Sequence, residues 1–170
     1  MAASVSTIVG GPANVKIAST EIGHTTGGVT ATVTPQNRER IVDEYGSTAV
    51  AIIHTGDEVR ITVPWSEWAQ ATLNEIYNPG SAADTGAGTP INFKGVGRSA
   101  GYIYTTQSMD ITPFLSTDAA KTAEFFSTTP IGEVSMSFNN DDDRILEVEY
   151  AALIKTDETD GALIGKLNLS

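Results

Sequence analysis

The stretch "EVSMSFNNDDDRILEVEY", Glu133 to Tyr150, holds two alternating runs of apolar and polar residues on either side of an acidic segment. Val134, Met136 and Phe138 alternate before the acids, and Leu146, Val148 and Tyr150 after them. Successive side chains of a strand point to opposite faces, so this period marks half-buried strands. The acids between them could ligate a cation or turn a corner. With Asn139, Asp141 and Asp143 as the first ligands of a calcium loop, glycine must follow at the sharp bend and glutamate must close the loop. The chain has Arg144 and Tyr150 at those places. Asn and Asp also close turns by bonding to their own backbone. A hairpin is therefore expected here, and no metal site.

The same period recurs elsewhere. Val29, Ala31 and Val33 alternate in "GVTATV", Val59, Ile61 and Val63 alternate in "EVRITV", and "GYIYTTQSMDI", Gly101 to Ile111, also has strand character. Gly, Asn, Asp and Pro punctuate these runs, with no helical crossovers between them. The expected fold is mainly β: an antiparallel sheet or sandwich. One segment breaks the period. In "PWSEWAQATLNEIYNPG" the residues Trp65, Trp68, Ala69, Leu73 and Ile76 recur at helical steps, Ser66 can cap the start, and "NPG" stops the run. One flanking amphipathic helix is expected, packed through Trp65, Trp68, Leu73 and Ile76. A second, short helix is expected at "STDAAKTAEFF", Ser116 to Phe126.

No composition shift divides the 170 residues, so residues 1–170 are taken as a single domain. Hydrophobic residues at 40% against 18% charged suit a folded chain. The arm 1–13 and the loop Gly80 to Pro90, which has no large apolar anchor, are expected to be flexible in the free monomer. The N-terminus has no basic start or continuous apolar stretch, so no secretory signal is expected. The longest apolar runs, "AVAII" and "YAALI", fall far short of the roughly 18 residues of a membrane-spanning helix, so no membrane segment is expected. Cysteine is absent, which excludes thiol chemistry and disulfides. A formal charge of −11 argues against gripping a phosphate backbone, which needs clustered Lys and Arg.

Catalytic motifs do not emerge. His24 and His54 are the only histidines; His24 reads as a turn residue and His54 as the end of a strand. Neither H-E-x-x-H nor G-x-S-x-G occurs. "GVGRSA", Gly95 to Ala100, fits G-x-G-x-x-A in letters, but the dinucleotide motif needs a helix immediately afterwards and a strand pattern follows instead. Neither an enzyme nor a bound cofactor is expected. Two tryptophans leave open a carbohydrate-binding β-sandwich, in which Trp65 or Trp68 would serve as the sugar platform.

Two long stretches resemble a known family. "EIGHTTGGVTATVTPQNRERIVDEYGSTAVAIIHTGDEVRITVPWSEWAQATLNEIY", with its G-x-T-x-G-G-V opening, paired strands and following helix, is similar to the first half of bacteriophage tail tube proteins. "PIGEVSMSFNNDDDRILEVEYAALIKTDETDGALIGKLN" resembles the end of that family, and the two together cover about two thirds of the chain. Related tubes occur in contractile tails and in type VI secretion. The resemblance implies an antiparallel β-sandwich with one flanking helix, a β-barrel-forming subunit of the virion whose hexameric rings stack into a tube, the conduit for genome ejection, without enzymatic activity. It implies localisation in the virion tail after assembly in the host cytoplasm. Implied partners are further copies of the chain, tape measure, initiator or baseplate, terminator, and a sheath if the tail is contractile. Double-stranded DNA would pass through without specific binding.

Six copies at −11 would carry a formal −66 (6 × −11) per ring, a wall that repels a passing phosphate backbone. Where tube proteins extend loops, this chain has the hairpin Thr34 to Ser47 and the loop Gly80 to Pro90. These supply the expected subunit and ring contacts: Arg38, Arg40, Ala82, Asp84 and, nearby, Lys94. The expected acids of the lumen are Asp43, Glu44, Asp57 and Glu58. The alternatives are the carbohydrate-binding module and another virion ring, such as a neck or tail terminator.

Overall fold

Each apolar alternation that falls on the described residues becomes a strand or part of one. The computed structural model describes residues 13–18, 20–21, 25–66, 73, 103, 105–114, 122–131, 135–136, 145–157 and 164–168. Its strands are β1 (Ala13–Ile17), β2 (Thr20–Glu21), β3 (Thr30–Ile41), β4 (Ala49–Trp65), β5 (Gln107–Pro113), β6 (Ala123–Pro130), β7 (Ser135–Met136), β8 (Leu146–Ala152) and β9 (Gly165–Leu167). All nine join one sheet in the order β2-β1-β5-β6-β8-β4-β3, with β7 added on β8 and β9 on β6. Every pairing is antiparallel. The architecture is mainly β, as the alternation requires, and the sheet curls into a half-barrel.

The β4–β8 ladder organises the core. Its register sets Val59 opposite Ala152, Ile61 opposite Tyr150, Val63 opposite Val148 and Trp65 opposite Leu146. All eight are buried, because directly opposed residues of an antiparallel pair share a face. Val15 and Ile17 of β1 and Met109 of β5 complete this cluster, and Val29, Leu73, Ile111, Phe125 and Ile164 pack around it. Each large apolar side chain so buried contributes on the order of 1.5–3 kcal/mol. This buried face therefore holds the fold together.

Several local expectations change. Trp65 is the last residue of β4, fully buried, rather than the first apolar residue of a helix. The alternation from Val59 through Ile61 and Val63 continues into it, and the β8 register fixes it as a strand residue. Leu73 has helical conformation and packs on the core, whereas Trp68 and Ile76 lie outside the described residues. In the second expected helix, Phe125 and Phe126 belong instead to β6, where pairing with β5 and β9 overrides helical spacing. His54 lies within β4 and not at its end, and Ala13, assigned to the arm, opens β1. β7 and β8 pair antiparallel, with Ser135 opposite Glu147 and Met136 opposite Leu146, so the chain reverses direction across the acidic segment. Asp141 to Asp143 themselves, His24 and "GVGRSA" lie outside the described residues.

Candidate assembly interface

β3 and β4 form a hairpin that outgrows the sheet. The β4–β8 ladder stops at Val59, so Ala49 to Glu58 of β4 pair with β3 alone. At about 3.3 Å per residue those ten residues extend roughly 30 Å past the sheet. Among the described residues, β3 has no partner on its outer edge. Every residue of β3 is exposed.

Local chemistry explains how the hairpin holds its shape. The β3–β4 register steps between Gln36 and Asn37 and again between Arg40 and Ile41, leaving Thr55 and Val50 as the extra residues of two bulges in β4. The Thr55 hydroxyl donates to the Gln36 carbonyl at 2.9 Å, which ties the first bulge across the pair. The end is a 3-10 turn, Asp43–Tyr45, closed by the Tyr45 amide on the Val42 carbonyl at 3.0 Å. Gly46 follows with φ of 64°, a left-handed value that disfavours side chains, and returns the chain into β4.

What the hairpin presents is unusual for a solvent-facing ribbon. Ile41, Val42, Tyr45, Val50, Ile52 and Ile53 all stand exposed, Ile52 at 70% and Tyr45 at 64%. A two-stranded hairpin is marginal in water by itself, and an apolar patch on one marks a contact surface. Sequence reading did not single out these residues. The available signal was "AVAII" itself, an apolar run that does not alternate and so cannot hide one face in a core.

The expected contact and lumen residues separate on this frame. The register puts Arg38 opposite Ile53 and Arg40 opposite Ala51, so both arginines share one face of the hairpin, exposed. Asp43 and Glu44 sit in the acidic turn at its end. Asp57 and Glu58 are successive strand residues near its base and point to opposite faces, so they do not line one surface together. Glu58 accepts a hydrogen bond from Arg60 Nε at 2.6 Å and one from Gln36 Nε2 at 3.4 Å. Arg60 also lies 3.5 Å from Glu149. Asp57 lies 3.6 Å from the imidazole of His54. Ala82, Asp84 and Lys94 lie outside the described residues.

Beside the core, on the face that carries Val59, a groove of about 570 Å³ opens between β3 and β9. Ala31 and Val33 form one wall, Ile164, Gly165 and Leu167 the other, and Val59 and Phe125 also line it. Among the described residues, no three His, Asp or Glu side chains gather where they could hold a metal ion. The arrangement offers an extended edge, an apolar hairpin and an apolar groove, all suited to binding other polypeptide.

No protein-family model matches this sequence, and no curated protein matches it. Solved structures do share the fold. One is the sheath/tube terminator of an extracellular contractile injection system, PVC, in the extended state, with TM-score 0.51 and 13% identity over 82% of this chain and 88% of that one. Another is a chain of the PVC sheath-tube complex in the extended state, with TM-score 0.50 and 12% identity over 82% of this chain and 83% of that one. At such identities the likeness is one of fold.

Proposed function

We propose that this chain is a structural, non-enzymatic subunit of a tail-tube assembly: it forms hexameric rings, and the rings stack into a conduit. The observation that carries the proposal is the β3–β4 hairpin, which extends beyond the sheet with exposed isoleucines and an edge that is unpaired among the described residues. An unpaired edge with apolar side chains is a liability that pairing with another chain removes. If the hairpin docks on a different face of the next copy, the contact is head-to-tail, and such contacts close into rings or run on as filaments. The fold shared with a tube terminator and with a chain of a sheath-tube complex supports the same direction.

In this proposal Arg38 and Arg40, with Ala82, Asp84 and Lys94, contribute to subunit and ring contacts. Asp43 and Glu44 make the hairpin end acidic, and the formal charge of −11 keeps a passing phosphate backbone from adhering. The particle is a phage-like tail, assembled with tape measure, initiator or baseplate and terminator, and with a sheath if the tail is contractile, and genome ejection is its use. A terminator ring that caps a tube is the second reading, favoured by the fold shared with a sheath/tube terminator. A sugar platform at Trp65 has no support, because its ring is fully buried.

Negative-stain electron microscopy of the purified protein across a concentration series tests this. Hollow tubes of uniform width are expected for a tube subunit, and single rings that never stack for a terminator. Monomers at every concentration, still unassembled after addition of tube ends from a related particle, would overturn both.

A further inference from the structure

The sheet is split beside β9. Ala123 to Phe125 of β6 pair with Ile111 to Met109 of β5 on one edge and with Leu167 to Gly165 of β9 on the other. Thr128 likewise pairs with Gln107 of β5 on one edge and with Ala152 of β8 on the other. β8 and β9 therefore lie end to end along a single edge of β6. β4 borders the far edge of β8 from Trp65 to Val59 and then runs on, but among the described residues no ladder joins its Ala49 to Glu58 stretch to β9. The groove between β3 and β9 is this split, with Asp57 and Val59 of β4 on one side and Lys166 and Leu167 of β9 on the other.

Its walls are apolar and stand in water. Val33 is 59% exposed, Ile154 59% and Leu167 64%, and all three line it. At about 570 Å³ it has the volume of a cleft that holds a ligand, ~300–1,000 Å³. Two charges also line it, Lys166 on the β9 side and Asp57 on the β4 side.

The end of the β3–β4 hairpin has the matching chemistry. It carries exposed Ile41, Tyr45 and Ile52, two carboxylates in its turn, Asp43 and Glu44, and Arg40 just before the turn. The acids suit Lys166, whose ammonium lies 2.8 Å from Glu124 and has three N–H donors, and Arg40 suits Asp57. The hairpin leaves the sheet beside its own groove and extends roughly 30 Å past the sheet, so its end reaches the groove of another copy and not its own.

We propose that the split beside β9 is the receptor for a second copy: the apolar end of one hairpin seats between β4 and β9 of the next chain, with its acidic turn at Lys166. The choice of partner rests on the tail-tube reading; what is added is the surface that receives the hairpin. Each contact leaves one hairpin end and one groove open, so assembly continues from it.

The absence of cysteine makes cross-linking a clean test. Tyr45→Cys is mixed with Leu167→Cys, with Val33→Cys, or with Thr32→Cys as the reference, whose side chain points to the face opposite Val33. A short bismaleimide, which tolerates a wider gap than a disulfide, is then added. All four side chains are exposed, so these variants keep the fold. Covalent dimers are expected with Leu167→Cys and Val33→Cys, and at most a trace with Thr32→Cys or with Tyr45→Cys alone. Leu167→Asp should raise the concentration needed for assembly roughly tenfold, the loss of one apolar contact. Dimers through the groove without rings or tubes would support the docking and overturn the tube reading. Rings or tubes with no groove-specific dimer, an equal yield at Thr32→Cys, or Leu167→Asp assembling at the original concentration would overturn the docking and leave the tube reading standing. No association at any concentration would overturn both.

Discussion

β4 is one continuous strand with two environments. From Val59 to Trp65 it alternates buried and half-buried, paired with β3 or the adjoining chain on one side and β8 on the other; from Ala49 to Thr55 it is exposed at every residue. Both halves are apolar. The difference is the neighbour on the second edge, and it teaches that burial here follows pairing and not hydrophobicity. Val33 and Val59 make the point in a single pair. They face each other across the β3–β4 ladder on the same face, yet Val59 is 4% exposed and Val33 is 59%. Val59 sits between two strands, whereas Val33 sits on the edge.

The sharpest way to break this contrast is in the buried half. Trp65→Ala should cost about 3–5 kcal/mol of folding stability in denaturant titration, since it empties the largest fully buried site of the β4–β8 ladder. A loss under about 1 kcal/mol would mean that this half of β4 is not the anchor of the fold. Trp65→Phe refines the measurement. The indole Nε1 has no hydrogen-bond partner among the described residues, so replacing the indole with a phenyl ring loses no hydrogen bond and should cost about 1–3 kcal/mol, less than Trp65→Ala, from the smaller ring's cavity.

The exposed half should respond in the opposite manner. Ile52→Asp is expected to leave monomer stability within about 0.5 kcal/mol, because the side chain is already in water. The same change should raise the concentration needed for assembly roughly tenfold or more, the loss of one apolar contact at an interface. Sedimentation and unfolding measured side by side separate the two quantities. Assembly at the original concentration would detach the hairpin from the interface.

The smallest effect is expected at the hinge between the halves. Arg60 stands over the junction with Glu58 on one side and Glu149 on the other, all partly exposed. Arg60→Gln should cost under about 1 kcal/mol, and less as salt is added, because water screens such pairs. A larger, salt-independent loss would show that charge, and not strand pairing, divides β4.

Local pattern revealed most of the strands because a period of two is written into consecutive residues. Leu146, Val148 and Tyr150 were legible in that way, and so was the chain reversal between β7 and β8. Trp65 and Phe125 were not. Their spacing also fits a helix, and only the partners Leu146 and Met109, distant in sequence, select the strand. The candidate interface was half legible. Arg38, Arg40, Asp43 and Glu44 could be placed on a hairpin from its polar sequence and its place in the order of the resembled tube proteins, but the opposite facing of Asp57 and Glu58 has consequences only once the strand carrying them is placed.

By itself the sequence determined a mainly β chain, free of thiols and strongly acidic, with alternating runs that demand an antiparallel sheet. Tertiary structure alone decided which described strand lies at the edge, where β4 leaves its second neighbour, and that Arg38 and Arg40 share an exposed face opposite Ile53 and Ala51. The physical reason is range. Alternation is set by neighbours along the chain, whereas edges and grooves are set by hydrogen-bonded registers between residues as far apart as Ala13 and Pro113.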